Sequence, residues 1–263
     1  ILAFILADAG FDVFLINHRG GHYSKRHISL KPWDNQYWQC SVDELSRYDA
    51  PAAIDKVLEV TGYNGTYWVG HSMGTSIAYM GLSTNPQYNS KIKSAFLMAP
   101  SGSAGYGQGP AKLLFWAYKT FEPLVHVSLD LKMGIQSEQA LTCDKSQTRA
   151  PVYLSHAPSG TSTWNLLHYA QVDYRGDPKE TPPPYNFSSI TAPIYHFWSR
   201  NDILQTREEI EKTIMSTLPQ ETVKEWIEIP EYNHFDYALA VDCAEKVFNP
   251  ITRIVRSQET GMC

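Results

Sequence analysis

The fold is decided by residues 67–82, which are YWVGHSMGTSIAYMGL. The short apolar run Tyr67–Val69 predicts a strand, and the apolar positions from Thr75 to Leu82 predict a helix. Between them lies the pattern G-x-S-x-G, in which two small residues allow a sharp turn that exposes the hydroxyl of Ser72 above a sheet. The order of strand, turn and helix therefore predicts that Ser72 is a nucleophile.

Predicted strands and helices alternate on both sides of this segment. Further helices are predicted at Ile1–Ala9, after the capping-box spacing of Ser41 and Glu44, after the capping residue Thr206, and after Tyr237, with a kink at Pro250. The further predicted strands are Asp12–Ile16, Ala95–Ala99, Ile194–Trp198 and Trp226–Ile229. This alternation is typical of an α/β protein with a mostly parallel sheet and helices on both faces.

An insertion interrupts the alternation. Glycines cluster between residues 102 and 109, an aromatic stretch follows, and three prolines end the segment at 182–184. We therefore divide the chain into a first core part (1–100), a cap or lid insertion (101–184) and a second core part (185–263). The apolar side chains of the insertion either line an acyl pocket or meet a lipid surface, or they form the cap's own small core. They are Leu113, Leu114, Phe115, Trp116, Tyr118 and Phe121.

A nucleophilic serine needs a base, and the base needs a carboxylate that orients it. Asp202 follows the predicted strand Ile194–Trp198, and His234 follows the strand Trp226–Ile229. The chain order serine, acid, histidine is that of the α/β-hydrolase fold, in which these residues lie on loops at the carboxyl ends of successive strands. Asp236 is a weaker candidate for the acid because it lies only two residues beyond the histidine on the same loop end.

The oxyanion of an acyl-transfer reaction needs hydrogen-bond donors. The backbone N–H of Met73, the residue after the nucleophile, is one predicted donor. The second is expected from a loop after an early strand, and we expect that strand upstream of Ile1. His18, His22 and His27 lack the regular spacing and the carboxylates of a metal site, so neither a metal nor another cofactor is predicted.

Composition excludes several protein classes. The chain has 263 residues, of which 43% are apolar and 19% charged, as in a globular protein. Its net charge of −5 offers no basic excess for nucleic acid. No run of about eighteen apolar residues is present, which argues against a transmembrane segment. Four dispersed cysteines fit neither a zinc site nor a disulfide framework. Asn64 and Asn186 begin glycosylation triplets, which matter if the chain enters the secretory pathway.

Several motifs together resemble the acid lipases, the gastric and lysosomal family within the α/β-hydrolases. The matching segments are residues 2–10, 17–20, 43–44, 48–52, 70–75, 83–86, 155–162 and 232–236. The resemblance places the family's nucleophile on Ser72, its acid on Asp202 and its base on His234. It also implies hydrolysis of triacylglycerols or cholesteryl esters at a lipid–water interface, a cap with a lid, glycosylation, and a secreted or lysosomal setting. A small-ester or thioester hydrolase, and a catalytically silent lipid-binding relative, remain as alternatives.

Overall fold

Within the described residues, the sheet has four parallel strands that lie side by side in chain order. The computed structural model describes residues 2–102, 162, 165, 168, 169 and 185–261. The strands are Thr66–His71 (β1), Ile92–Met98 (β2), Ile194–Trp198 (β3) and Val223–Glu228 (β4). Leu97 of β2 is paired with Gly70 and with His196, and His196 is paired with Trp226. This register brings the carboxyl ends of all four strands to one edge of the sheet.

Helices flank these strands along the chain. The α-helices are Leu2–Asp8 (α1), Val42–Glu44 (α2), Ala50–Thr61 (α3), Met73–Thr84 (α4), Arg207–Ile210 (α5), Asp236–Leu239 (α6) and Asn249–Thr260 (α7). Single π-helical turns occupy Leu45–Asp49, Glu211–Met215 and Ala244–Phe248, and 3-10 turns occupy Asn35–Trp38, Pro86–Lys91 and Phe187–Ser189. The predicted capping box is present, because the N–H of Ser41 donates to Glu44 Oε2 at 2.6 Å.

Two apolar clusters cover the two faces of the sheet. Adjacent residues of β2 point to opposite sides, so that Leu97 belongs to one cluster and Phe96 to the other. Helices α3 and α4 pack on the Leu97 side, and α1 and α7 pack on the Phe96 side. Each fully buried side chain of this size contributes about 1.5–3 kcal/mol through removal of apolar surface from water. The prediction of helices on both faces is therefore confirmed.

One detail of the sequence-based prediction is wrong. Residues 12–16 form no strand, and their side chains Phe14, Leu15 and Ile16 are exposed. A strand exists only where a neighbouring strand accepts its ladder hydrogen bonds, and within the described ranges none lies beside this segment. Pro250 lies in the first turn of α7, which directly follows the π-helical turn Ala244–Phe248, and the kink expected there stays a prediction.

Most of the predicted insertion lies outside the described residues. The residues outside the described part include the aromatic stretch Leu113–Phe121, Pro182–Pro184 and Cys143. Cys263, which does not belong to the insertion, also lies outside it. The division of the chain at residues 101 and 184 therefore stays a prediction. Cys40 and Cys243 are described, and both are buried free thiols.

Candidate active site

The turn between β1 and α4 holds Ser72 in a backbone conformation that non-glycine residues rarely adopt, with φ of +52° and ψ of −116°. Neighbouring groups hold this strained turn in place. The N–H of Ser72 donates to the carbonyl of Met98 at 3.0 Å, and the hydroxyl of Thr75 donates to the carbonyl of Ser72 at 2.7 Å. Strain of this kind persists where the surroundings fix it, and it is concentrated at functional sites.

The two glycines of G-x-S-x-G have different structural roles. A Cβ at Gly70 would lie 2.6 Å from the carbonyl oxygen of Gly74 and 2.9 Å from Trp68 Nε1. Among the described residues, a Cβ at Gly74 would meet no atom within 4 Å beyond the backbone of its own helix. The close approach of β1 and α4 therefore requires glycine at position 70, whereas no described neighbour requires it at position 74.

The structure brings the predicted nucleophile, base and acid into one hydrogen-bonded line. His234 Nε2 lies 2.7 Å from Ser72 Oγ, and His234 Nδ1 lies 2.8 Å from Asp202 Oδ2. Asp202 and His234 are both buried. When Nδ1–H donates to the carboxylate, the lone pair of Nε2 is directed at the serine hydroxyl, which is the arrangement that proton abstraction needs.

Main-chain donors fix the orientation of the acid. The N–H groups of Leu204 and Gln205 both donate to Asp202 Oδ1 at 2.9 Å, which leaves Oδ2 for His234. Asp236, the weaker candidate, accepts instead from the N–H of Asn233 at 2.7 Å and so braces the turn before α6.

Asn233 joins the loop of the acid to the loop of the base. Its Oδ1 accepts from the N–H of His234 at 2.8 Å and from the N–H of Ile203 at 3.4 Å. Sequence reasoning assigned no role to Asn233. An amide next to a predicted base was a signal that could have marked it, because one carbonyl oxygen accepts two hydrogen bonds.

Met73 begins α4, and the N–H of a first helical residue has no acceptor within its own helix. The same end of α4 carries the positive end of the helix dipole. Both properties suit an oxyanion next to Ser72, and the donor role of Met73 stays a prediction.

A chain of buried hydrogen bonds runs from the elbow to Tyr169. The hydroxyl of Thr75, which donates to Ser72, accepts from the N–H of Ser101 at 2.8 Å. The hydroxyl of Ser76 donates to the carbonyl of Ser101 at 2.7 Å and accepts from the Tyr169 hydroxyl at 2.8 Å. Tyr169 lies within the predicted insertion, so this part of the insertion contacts the residues directly behind the candidate nucleophile.

Two further histidines belong to strands of the sheet, His196 fully buried and His71 half-buried. His196 stacks on Trp226 with ring centroids 3.8 Å apart and lies 2.9 Å from the hydroxyl of Tyr79, so both contacts are those of a structural side chain in the core. Burial lowers the pKa of His196 to about 3. His71 occupies a variable position of G-x-S-x-G, so no sequence signal marked it, yet its Nε2 lies 2.7 Å from the main-chain oxygen of His234.

Both predicted glycosylation triplets begin at an asparagine on the surface of the protein. Asn64 and Asn186 are both exposed, and Asn186 Oδ1 accepts from the Ser188 hydroxyl of its own triplet. Within residues 2–102 and 185–261 and the four described positions between them, no group of three or more His, Cys, Asp or Glu side chains is arranged to hold a metal ion.

Comparison with known proteins places this architecture in a family. The family model described as "alpha/beta hydrolase fold" matches residues 4–240. Human "Lipase member K" is 34% identical over 95% of this chain and 72% of its own length. Mouse "Gastric triacylglycerol lipase" is 33% identical over 97% of this chain and 74% of its own length.

A solved structure supports the fold independently. The monoacylglycerol lipase of Paleococcus ferrophilus superposes with a TM-score of 0.60 at 17% identity, over 98% of this chain and 88% of that one. At that identity the likeness concerns the fold alone, whereas the two curated relatives are similar in sequence along nearly the whole chain. The chain therefore belongs to the acid lipase family of the α/β-hydrolases and is a serine ester hydrolase of the lipase type.

Proposed function

We propose that this chain hydrolyses neutral lipid esters, triacylglycerols or cholesteryl esters, through an acyl-enzyme on Ser72. The observation that carries the proposal is the hydrogen-bonded line from Ser72 Oγ through the imidazole of His234 to Asp202, with separations of 2.7 and 2.8 Å. The substrate class is supported by the mouse relative, whose name is that of a triacylglycerol lipase.

In the acylation half of the reaction, Ser72 Oγ attacks the ester carbonyl carbon while His234 Nε2 takes the hydroxyl proton. The imidazolium that forms is stabilised by the carboxylate of Asp202 at Nδ1. Negative charge then develops on the former carbonyl oxygen, next to the N–H of Met73 and the N-terminus of α4. Collapse of the tetrahedral intermediate breaks the bond to the alcohol, which leaves with the proton from Nε2.

In the deacylation half, a water molecule replaces the alcohol. His234 Nε2 removes a proton from the water as its oxygen attacks the acyl carbonyl carbon. The second tetrahedral intermediate breaks its bond to Ser72 Oγ, which recovers the proton from Nε2, and the fatty acid is released. Both halves of the reaction use the same base and the same oxyanion donor, so the residues at one edge of the sheet are sufficient for both.

A lipid–water interface as the working surface is supported by residues 17–33, here termed the cationic loop. This segment contains no Asp or Glu. Three of its cations have no ion-pair partner among the residues that the structure describes: Lys25, Arg26 and Lys31. Three large apolar side chains are strongly exposed: Tyr23, Ile28 and Trp33, at 81%, 101% and 78%. Basic and apolar groups side by side suit an anionic lipid surface. No helix within the described part is long and apolar enough to span a bilayer.

A secretory setting, either extracellular or lysosomal, is the corresponding proposal for localisation. It is supported by the family and by the exposure of both triplet asparagines, Asn64 and Asn186, which leaves them open to glycosylation. Expression in a secretory host should yield a chain whose mass falls on deglycosylation. Replacement of each asparagine by Gln identifies the occupied site.

The function is tested with purified protein on four substrate classes: emulsified triolein, emulsified cholesteryl oleate, p-nitrophenyl esters from acetate to palmitate, and acyl thioesters. A fluorophosphonate probe measures nucleophile reactivity in parallel. The matched variants are Ser72→Ala, which removes the proposed nucleophile, and Ser90→Ala, which removes an exposed serine hydroxyl.

We expect labelling and hydrolysis of the emulsions in the unaltered protein and in Ser90→Ala, and neither in Ser72→Ala. Turnover of acetate alone would favour a small-ester hydrolase, and turnover of acyl thioesters in preference would favour a thioesterase. A folded protein that binds emulsions without labelling would identify a silent lipid-binding relative.

A further inference from the structure

His71 is a half-buried titratable residue next to the proposed nucleophile that the acyl-transfer steps do not use. It is the last residue of β1, and its Nε2 lies 2.7 Å from the main-chain oxygen of His234. Because a carbonyl oxygen only accepts hydrogen bonds, Nε2 of His71 carries the proton and donates it. The hydrogen bond therefore defines both the tautomer of His71 and the atom to which His71 donates.

The ring of His71 lies near two other rings. Its centroid lies 5.3 Å from that of His234 and 6.2 Å from that of Tyr237. Tyr237 lies in α6, directly after the loop that carries His234, and it is fully buried. The titratable groups around His71 are thus His234, Asp202 and Tyr237, contributed by the segments after β4 and β3 and by α6.

The bond from His71 connects two parts of the site that the chain itself keeps far apart. His234 lies on the loop between β4 and α6, whereas Ser72 follows β1 at the other side of the sheet. Asn233 and Asp202 anchor the His234 loop to the segment after β3. His71 anchors it to the strand that carries the nucleophile, one residue before Ser72.

We propose that His71 is a positioning residue: its Nε2–H holds the main chain at His234 and thereby keeps the imidazole of His234 within proton-transfer distance of Ser72. This role rests on the proposed hydrolase function of Ser72. A displacement of about 1 Å between reacting groups costs on the order of 100-fold in rate. A hydrogen bond that sets the separation of base and nucleophile therefore has a large effect on acylation and a small effect on substrate affinity.

The environment keeps this donor uncharged while the reaction proceeds. Burial, together with the positive charge that His234 acquires, lowers the pKa of His71 to about 4, against the opposing effects of the hydrogen bond to His234 and the charge of Asp202. A neutral imidazole donates to the carbonyl without placing a second positive charge beside the His234 imidazolium. A lysine or arginine donor at this position would oppose formation of that imidazolium.

Two variants with the same amide group and different reach test the proposal. The side-chain nitrogen of Gln matches the position of a histidine Nε2, whereas that of Asn is closer to the main chain and falls short. We expect His71→Gln to retain acylation of Ser72 by p-nitrophenyl butyrate within about 5-fold, and His71→Asn to slow it roughly 10–100-fold with KM changed less than about 2-fold. Urea unfolding of both variants controls for loss of structure.

The outcomes separate this proposal from the proposed function. Absence of fluorophosphonate labelling in the unaltered protein would contradict the hydrolase itself. Normal labelling together with equal acylation rates in the folded His71→Asn and His71→Gln variants would overturn the role of His71. Should a variant not fold, nitrogen-15 spectra of the unaltered protein provide a second test between pH 5 and 8: a proton on Nε2 of His71 supports the proposal, and a proton on Nδ1 alone overturns it.

Discussion

We expect a single methyl group to damage this protein at Gly70 and to be tolerated at Gly74, although both glycines belong to the same G-x-S-x-G pattern. At position 70 the added Cβ would lie 2.6 Å from the Gly74 oxygen and 2.7 Å from its carbonyl carbon, which are main-chain atoms that move only if the start of α4 moves. It would also lie 2.9 Å from Trp68 Nε1, which donates to the Gly74 carbonyl at 3.1 Å.

The magnitude follows from these two contacts. Overpacking in a rigid site costs about 1–3 kcal/mol, and loss of the Trp68 hydrogen bond adds about 1 kcal/mol. Gly70→Ala should therefore lower the free energy of unfolding by roughly 2–4 kcal/mol, which corresponds to a fall in Tm of roughly 4–16 °C for a chain of this size. Because α4 begins at the nucleophile elbow, acylation of Ser72 should slow as well.

Gly74→Ala is the matched control because its Cβ lies inside α4 and, in the part of the chain that the structure describes, would contact no atom within 4 Å beyond the backbone of that helix. Alanine is favoured over glycine in a helix by up to about 1 kcal/mol, so this variant should be as stable as the unaltered protein or slightly more so. Both variants are compared by urea unfolding, thermal melting and the fluorophosphonate labelling rate. Equal Tm values for the two variants, or a Gly70→Ala variant as stable as the unaltered chain, would refute the steric argument.

Four further predictions follow from the site and its surroundings. Asp202→Asn should lower kcat about 10,000-fold without unfolding the protein, because an amide favours the wrong tautomer of the base; stopped-flow acylation measures this. Tyr169→Phe should cost about 1 kcal/mol in urea unfolding through loss of its buried hydroxyl contact. The folded-state pKa of His196 is about 3, whereas an unfolded histidine titrates near 6.5. The contribution of His196 to stability is therefore intact above pH about 6.5 and is lost at about 1.4 kcal/mol per pH unit as the pH falls towards 3. His196→Gln should reduce the pH dependence of the free energy of unfolding in this range by the contribution of one proton. Ile28→Ser with Trp33→Ser should reduce hydrolysis of anionic emulsions and leave a soluble ester unaffected.

The parts of the fold that follow local rules were predictable from the sequence. The capping box of Ser41 and Glu44 involves residues three apart, and its hydrogen bonds depend on little beyond that spacing. The strand before Ser72 and the helix after it follow equally from a short apolar run and a small-residue turn. The structure extends the predicted helix at both ends, to Met73–Thr84.

The strand predicted at residues 12–16 shows where such rules fail. An apolar run indicates that its side chains tend to be buried, but formation of a strand also requires hydrogen bonds to a second segment. In the described part of the chain, β1 pairs with β2 alone, and the side chain of Leu15 in the predicted strand is 76% exposed. Burial and pairing are properties of the neighbours of a segment, so its own residues do not determine them.

The same distinction applies to the candidate active site. Chain order and the shared edge of a parallel sheet were sufficient to select Ser72, Asp202 and His234 before any distance was known. The separations between them depend on groups that hold the main chain, Asn233 at one side of the base and His71 at the other. Both residues lie inside the matching segments, but a segment does not state their role, because an amide that accepts from an N–H or an imidazole that donates to a carbonyl is recognised only once its partner is in place. Loss of a residue that transfers or stabilises the proton removes a chemical step, whereas loss of a residue that positions the main chain changes the distance between base and nucleophile. The His71→Asn and His71→Gln variants separate these two effects.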